Sequence, residues 1–193
     1  MRIDSGAHKG KKLVVPEGRD VRPTADRARQ AIFNMLVHGK NVVRDAKVLD
    51  AFAGSGALGL EALSRGAVRL VAFDSDAAAL KAIRLNVAGC HEDSRTIVQS
   101  ANATKPPAAR GFTEHAPADL VFLDPPYGKG LVAAALSALD KAGWIAPAAI
   151  VVAEMDRQDA VDLPADYETI TDRTYGKARI LILRKNGLER DRL

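Results

Sequence analysis

The chain has 193 residues, a formal net charge of +4 at pH 7 and a single cysteine. This length suffices for one domain with a sizeable core, and one cysteine excludes both a disulfide framework and a cysteine metal site. The 47% apolar content is typical of a folded globular protein. No apolar run is long enough for a membrane span and no signal-peptide pattern opens the chain, so we expect a cytoplasmic location.

Positive charge is concentrated at the amino terminus. Residues 1–44 hold ten Lys or Arg against four Asp or Glu, a balance of +6, whereas residues 45–193 hold 18 against 20, a balance of −2. A basic segment on a near-neutral body is typical of a protein that binds a polyanion; a solvated basic tail is the alternative. We therefore predict a basic, RNA-binding amino-terminal extension over 1–44 and a main domain over 45–193.

Hydrophobic periodicity predicts one helix followed by alternating strands and helices. The first helix covers 24–38, with Thr24 as its N-cap and Arg27 on its polar side. The segments that follow, in chain order, are strand 47–52, helix 57–66, strand 69–74, helix 76–89, strands 95–100 and 118–124, helix 131–143, strand 148–155 and two strands within 167–185. This order predicts an α/β fold, a doubly wound and mostly parallel sheet with an antiparallel hairpin at its edge.

A glycine-rich loop lies between the first predicted strand and the next helix. Gly54, Gly56 and Gly59 have the Gly-x-Gly-x-x-Gly spacing of dinucleotide-binding loops, and Asp74 follows Gly54 by 20 residues at the end of the next strand. An acid at that place accepts hydrogen bonds from ribose hydroxyls. The pattern therefore favours a nucleoside-containing ligand over a plain strand-to-helix turn.

Asp50 narrows the choice of ligand, because it ends the first strand four residues before Gly54. A carboxylate there repels the pyrophosphate of a nicotinamide cofactor but attracts the ammonium group of S-adenosylmethionine. We therefore predict S-adenosylmethionine as the cofactor, with a capping carboxylate as the alternative role for Asp50. Asn102, after the third strand, is either an acceptor for the adenine amino group or a plain loop residue.

The fourth predicted strand ends in Asp124-Pro125-Pro126-Tyr127. Because the carboxyl ends of parallel strands meet at one edge of a sheet, Asp124 should face the same crevice as Asp50. The prolines lack N–H groups and leave a stiff turn rich in acceptors. Asp124 and the Pro125 carbonyl can accept both hydrogens of an exocyclic amine, such as guanine N2 or adenine N6, while Tyr127 stacks on the base. These residue types predict methyl transfer to an amine of this kind.

Together these motifs resemble the 16S ribosomal RNA guanine-N2 methyltransferases of the RsmD family, within the class I S-adenosylmethionine-dependent methyltransferases. The segments that carry the resemblance are 5–13, 22–36, 48–67, 122–127 and 175–183. It implies a seven-stranded, Rossmann-like methyltransferase sheet and a substrate in 16S ribosomal RNA or the small ribosomal subunit. Asp74 stands where this family more often has glutamate, Asn102 where it has aspartate, and Gln30 where an acid is expected. We expect a monomer.

The predicted site residues form three groups, and the four histidines show no metal-ligand spacing, so no metal is predicted. The cofactor group contains Asp50, Phe52, Ala53, Gly54, Ser55, Gly56, Asp74, Ser75, Asn102 and Ala103. The group that acts on the amine contains Asp124, Pro125, Pro126 and Tyr127. The group that contacts substrate RNA contains Lys9, Lys11, Lys12, Arg22, Thr24 and Arg27.

Two other hypotheses stay open. One is an amino methyltransferase that acts on DNA adenine N6 or protein glutamine, since those enzymes share the Asp-Pro-Pro-Tyr motif. A DNA enzyme of this kind usually carries a separate recognition domain, for which 193 residues leave little room. The other is a nicotinamide-dependent dehydrogenase or a non-catalytic nucleotide-binding module, which leaves the Asp-Pro-Pro-Tyr turn unexplained.

Overall fold

A computed structural model describes residues 1–16, 23–38 and 41–187. Four α-helices and seven strands occur in this part of the chain, besides two 3-10 turns at Asp93–Arg95 and Ala109–Gly111. The elements in chain order are α1 (Pro23–Val37), β1 (Lys47–Asp50), α2 (Ala57–Ser64), β2 (Arg69–Asp74), α3 (Ala77–Gly89), β3 (Thr96–Ser100), β4 (Ala118–Leu123), α4 (Leu131–Lys141), β5 (Ile145–Asp156), β6 (Tyr167–Tyr175) and β7 (Ala178–Lys185).

The seven strands form one sheet in the order β3-β2-β1-β4-β5-β7-β6. The first five are parallel, and β7 runs antiparallel between β5 and β6. The predicted α/β architecture with an antiparallel edge hairpin is thus confirmed. The boundaries differ in places: β1 ends at Asp50, two residues early, because residues 51–52 already turn into the glycine loop. The stretch 105–111, which has no predicted element, contains a 3-10 turn.

Helices cover both faces of the sheet, because successive strand residues point to opposite sides. In β1, Val48 packs into the core under α1, α2 and α3, whereas Leu49 packs into the core under α4. The ring of Phe33 in α1 lies 5.7 Å from that of Phe122 in β4, which joins the first helix to the centre of the sheet. The first helix buries Ala28, Ile32 and Leu36, as its periodicity predicts.

The start of α1 differs from the prediction. The helix begins at Pro23, so Thr24 is its second residue and not the cap that precedes it. Proline is well suited to the first helical position, because its fixed φ is helical and its missing N–H has no intrahelical acceptor there. Arg22 lies outside the described residues.

Residues 1–16 fold back onto the main domain. A bridge between Arg2 and Lys12 closes a short hairpin, and Ile3 and Leu13 are buried in the core shared by α1, α2 and α3. Burial of each such side chain contributes roughly 1.5–3 kcal/mol as an upper estimate. The charges of Lys9, Lys11 and Lys12 remain exposed. The extension is therefore attached to the body, while its role as a unit that binds RNA stays a prediction.

Hydrogen bonds to a buried acid of α2 hold this segment in place. Glu61 is fully buried and accepts hydrogen bonds from the backbone N–H groups of Asp4 (2.7 Å) and Ser5 (3.1 Å). Arg65 donates its Nε–H to the same carboxylate at 2.6 Å. Next to them Gly6 has a φ of 83°, and a Cβ built there would lie 1.8 Å from the Ser64 carbonyl oxygen. Only glycine permits this close approach of two backbones.

Among the described residues, no helix has both the length and the apolar character needed to cross a membrane.

Candidate active site

An open cavity of ≈ 210 Å³ lies at the carboxyl edge of the sheet, where β1 and β4 end. Six residues predicted from the sequence line it: Asp50, Phe52, Ala53, Gly54, Ser55 and Asp124. Its wall also includes five residues that the sequence did not indicate: Met1, Val15, Pro16, Ala57 and Leu58. The cavity thus combines the glycine loop, the predicted catalytic aspartate and the folded-back amino-terminal segment.

The glycine loop has the backbone geometry that its sequence predicts. Gly54 and Gly56 have φ values of 58° and 78°, in the left-handed region that favours glycine. A Cβ at Gly59 would lie 2.6 Å from Leu70 Cδ1, so glycine here lets α2 pack closely on β2. These are the tight-turn and close-packing roles of glycine in nucleotide-binding loops. Gly54 lines the cavity together with its neighbours Ala53 and Ser55.

Asp50 combines burial with an unsatisfied oxygen. It is 1% exposed, and its Oδ2 accepts the Gly59 N–H at 3.0 Å. Its Oδ1 is buried and has no hydrogen-bond partner among the described residues. Burial raises the pKa of this carboxyl from 3.8 to about 7; the Gly59 hydrogen bond opposes the rise and the charge of Asp74 adds to it. An orphaned carboxylate oxygen facing a cavity is suited to a cationic group of a ligand.

The capping role that the sequence left as an alternative for Asp50 is also present. The Gly59 N–H that Asp50 accepts belongs to the first turn of α2, where backbone donors lack intrahelical partners. Asp50 Oδ2 therefore stabilises the start of α2, and Oδ1 keeps its capacity to accept a hydrogen bond from a ligand.

Asp74 holds the loop from the neighbouring strand. Its Oδ2 accepts the Gly54 N–H and its Oδ1 accepts the Asp76 N–H, both at 2.9 Å. Ionised carboxylate oxygens have about four acceptor sites, so these two bonds leave capacity for a ribose hydroxyl. The ribose contact of Asp74 stays a prediction.

Several predicted cofactor residues do not line the cavity described above, namely Gly56, Asp74, Ser75, Asn102 and Ala103. The oxygen of Asn102 accepts both the N–H and the hydroxyl of Thr104 at 2.9 Å, a local loop role that the sequence left as the alternative. Ser75 is exposed, and Ala103 is packed in the core under α4. Their contacts with a cofactor stay predictions.

The Asp-Pro-Pro-Tyr turn lies directly beside Asp50. The ladder between β1 and β4 pairs Asp50 with Phe122, and Asp124 directly follows the last residue of β4, two positions after Phe122 and on the same face of the sheet. Asp124 is exposed and lines the cavity, Pro125 is buried, and Tyr127 is half-buried. The turn therefore lies at the mouth of the cavity, where a target group outside it can meet a ligand inside it.

Glu154, in β5, is a residue that sequence reasoning missed. The Tyr127 hydroxyl donates a hydrogen bond of 2.6 Å to its Oε1. Burial raises the pKa of Glu154, and the bond from Tyr127 opposes the rise. The signal that could have found it is the one acid in the predicted strand 148–155, whose other residues are apolar.

The predicted RNA-binding residues are spread along the amino-terminal part of the chain. Lys9, Lys11, Lys12 and Arg27 are exposed. Lys9 and Lys11 line an open groove together with His8, His91 and Arg95. The groove lies at the carboxyl end of α3. This helix runs from the carboxyl edge of the sheet towards the opposite edge, so the groove and the cavity lie at opposite ends of α3. In the described part of the chain, no cluster of His, Cys, Asp or Glu is arranged to hold a metal ion.

Comparison with known proteins gives a consistent result. A family model described as "Conserved hypothetical protein 95" matches residues 1–184. Ribosomal RNA small subunit methyltransferase D of Escherichia coli is 36% identical over 178 residues, which cover 92% of this chain and 86% of that protein. The protein of the same name from Haemophilus influenzae is 30% identical over 180 residues, which cover 91% of this chain and 89% of that protein.

Solved structures agree in fold along almost the whole length. The Escherichia coli protein yhhF matches with a TM-score of 0.79 at 34% identity, covering 97% of this chain and 98% of that chain. A Haemophilus influenzae protein matches with a TM-score of 0.76 at 27% identity, covering 96% and 98%. Both the shared sequence and the shared fold thus extend over the glycine loop, the Asp-Pro-Pro-Tyr turn and the amino-terminal segment, and the chain belongs to the RsmD family of methyltransferases.

Proposed function

We propose that this protein transfers a methyl group from S-adenosylmethionine to the exocyclic N2 amine of a guanine in 16S ribosomal RNA. The observation that carries the proposal is the single cavity that joins Asp50 and the glycine loop to Asp124. The relatives named ribosomal RNA small subunit methyltransferase D support the RNA substrate.

The cavity fits this cofactor on the chemistry of its donors and acceptors. The orphaned Oδ1 of Asp50 is an acceptor for the ammonium group, and the backbone of the glycine loop lies open to the ligand. Phe52, Ala53 and Leu58 supply apolar wall beside them. When bound, the cofactor supplies an electrophilic methyl group on a positively charged sulfur.

The Asp-Pro-Pro-Tyr turn prepares the amine. The lone pair of an exocyclic amine is delocalised into the base, which makes the nitrogen a poor nucleophile. The Asp124 carboxylate and the Pro125 carbonyl can accept both N–H groups, which localises the lone pair and directs it into the cavity. Tyr127 offers a ring on which the base can stack. Alignment of this kind contributes several kcal/mol to a group transfer, up to about 7–11 in well-oriented reactions.

Mass spectrometry of nucleosides tests the function directly. 16S RNA from cells that lack the protein should be missing one N2-methylguanosine, and purified protein with cofactor should restore it on that RNA or on small subunits. Gain of N6-methyladenosine in DNA, or of methylglutamine in protein, with no change in 16S RNA would instead support the other amino methyltransferases.

Cofactor affinity should depend on pH through Asp50. Its pKa of about 7 in the ligand-free protein means that the carboxyl is protonated below neutral pH, whereas an ammonium group requires the ionised form. Affinity should rise with pH up to about 7 and then level off, and at pH 5.5 it should be roughly thirtyfold weaker than at the plateau. Titration calorimetry in buffers of different ionisation enthalpy should detect proton release near pH 6.

The matched variant for this prediction is Asp50→Asn. It keeps the side-chain shape and an acceptor for the Gly59 N–H, but it has no proton to lose. It should bind the cofactor weakly and with no change between pH 5.5 and pH 8. Wild-type affinity that is independent of pH would contradict the role of Asp50.

The basic extension should provide much of the RNA affinity. Phosphate contacts release counterions, and for single strands log affinity falls with log salt by about 0.7 per neutralised phosphate. Neutral substitutions at Lys9, Lys11, Lys12, Arg22 and Arg27 should weaken RNA binding and flatten this slope by up to about 3.5. Filter binding between about 50 and 200 mM salt measures the slope.

A variant with the same charge change elsewhere provides the control. Five exposed cations lie at or after the end of α4, away from the extension: Lys141, Arg157, Arg173, Lys177 and Arg184. Their neutralisation should leave the slope within about 1 of wild type, and both variants should keep cofactor affinity. Equal slopes for the two variants would show that the extension does not carry the phosphate contacts.

A further inference from the structure

The sheet register places Glu154 beside the catalytic turn. The ladder between β4 and β5 pairs Phe122 with Val152 and Leu123 with Ala153, and the next residues along the two strands are Asp124 and Glu154. Side chains alternate along each strand, so Glu154 projects from the same face of the sheet as Asp124. Asp50 at the end of β1, Asp124 directly after β4 and Glu154 in β5 therefore project from one face of the sheet at its carboxyl edge.

The hydrogen bond from Tyr127 to Glu154 connects two parts of the chain that differ in how firmly they are held. After Tyr127 the chain turns through Gly128 and Gly130, with φ values of 72° and 57°. A Cβ at either glycine would meet no atom within 4 Å in the part of the chain that the structure describes, so this turn has little packing. Glu154, in contrast, lies within β5, which pairs with both β4 and β7.

The ring of Tyr127 is only half-buried, so packing alone does not fix its position. Beside it, a cavity of only ≈ 20 Å³ is lined by Tyr127 together with Pro125, Leu131, Met155 and Val161, so a small gap remains in the packing around the ring. Hydrogen bonds between a hydroxyl and a carboxylate are short and about twice as strong as neutral ones, and the 2.6 Å separation fits that class. The bond to Glu154 therefore opposes rotation of the half-buried ring away from this position.

We propose that Glu154 is a positioning residue for methyl transfer: its carboxylate holds the Tyr127 hydroxyl and so fixes the ring against which the target base stacks beside Asp124. This role rests on the function proposed above. Glu154 acts through Tyr127 and not by contact with the base. It should therefore affect the rate of methyl transfer more than the affinity for RNA or cofactor.

A double-mutant cycle separates this role from direct contact. Tyr127→Phe and Glu154→Ala should each lower kcat by about tenfold, and the double variant should be no slower than either single variant. Glu154→Gln keeps an acceptor oxygen and should restore kcat to within about threefold of wild type. KM for RNA and cofactor affinity should change by less than about threefold. The exposed Glu168, changed to Ala, is the control and should leave kcat unchanged.

The hydrogen bond can be measured without any substrate. The chain has three tyrosines, Tyr127, Tyr167 and Tyr175, so carbon-13 labelling of tyrosine rings gives three signals that Phe substitutions assign. Glu154→Ala and Glu154→Gln should shift the Tyr127 signal and leave the other two in place. An unshifted Tyr127 signal overturns the proposal, and so does a double variant that is about a hundredfold slower, because independent effects multiply.

The two proposals fail in different ways. If the wild-type protein methylates no guanine in 16S RNA, the proposed function is wrong, and the labelled ring still decides whether Glu154 holds Tyr127. If the wild-type protein is active and Glu154→Ala has wild-type kcat, the proposed function stands and the positioning role is wrong.

Discussion

Asp124→Ala is expected to abolish methyl transfer while most of the cofactor affinity remains. The alanine removes the acceptor that, in our proposal, localises the lone pair of the target amine together with the Pro125 carbonyl. Loss of one such aligned group lowers kcat by about 10²–10³-fold in other enzymes. Asp50 and the glycine loop, which hold the cofactor in our proposal, are untouched. Single-turnover methylation of RNA and calorimetry with the cofactor measure the two effects.

The control for this prediction lies on the same strand. Asp119 is an exposed acid near the opposite end of β4, where it accepts the Lys47 N–H at 2.9 Å. Asp119→Asn keeps an acceptor for that N–H and should have wild-type kcat. Near-normal turnover in Asp124→Ala would exclude the proposed role of Asp124, whatever its cofactor affinity.

Glu61→Ala is expected to destabilise the protein and release its amino-terminal segment. The change leaves the Asp4 and Ser5 N–H groups and the Arg65 guanidinium without their buried acceptor. Removal of one partner from a buried charged network costs about 3–5 kcal/mol. Urea unfolding should show a loss of this size, and trypsin should cleave faster after Lys9, Lys11 and Lys12.

An exposed acid gives the comparison for the stability measurement. Glu114 is exposed, so Glu114→Ala should change the free energy of unfolding by less than about 0.5 kcal/mol. A Glu61→Ala protein with wild-type unfolding and wild-type trypsin cleavage would show that Glu61 does not fasten the segment.

Much of the fold could be predicted from the sequence, because the chemistry that defines it is local. The predicted bounds of β2 are correct, because its apolar run is flanked by the charged residues Arg69 and Asp74. The end of β1 was wrong by two residues, since Ala51 and Phe52 are apolar like the strand and only the turn geometry separates them. Thr24 was wrong as a cap because Pro23 already occupies the first helical position.

The candidate site was predictable where a motif fixes the spacing, and not where distant segments meet. Asp50, Gly54 and Asp124 are identified by their places after strands, and they share one cavity. Met1 and Val15 reach that cavity only because the amino-terminal hairpin folds back, which no local pattern reveals. Glu154 is placed beside Asp124 by the pairing of β4 with β5, and strand pairing is a long-range property of the chain.

The amino-terminal segment contributes residues to both of the ligand sites that we propose. Val15 and Pro16 form part of the cofactor cavity, and Lys11 and Lys12 lie a few residues earlier in the same segment. Asn86 binds this segment through the N–H and carbonyl of Val14 and also donates to the Ser55 carbonyl in the glycine loop. In our proposal RNA contacts these lysines, so one segment would contribute both to the RNA surface and to a wall of the cavity. By linkage, any change that RNA makes in cofactor affinity is matched by an equal change that the cofactor makes in RNA affinity.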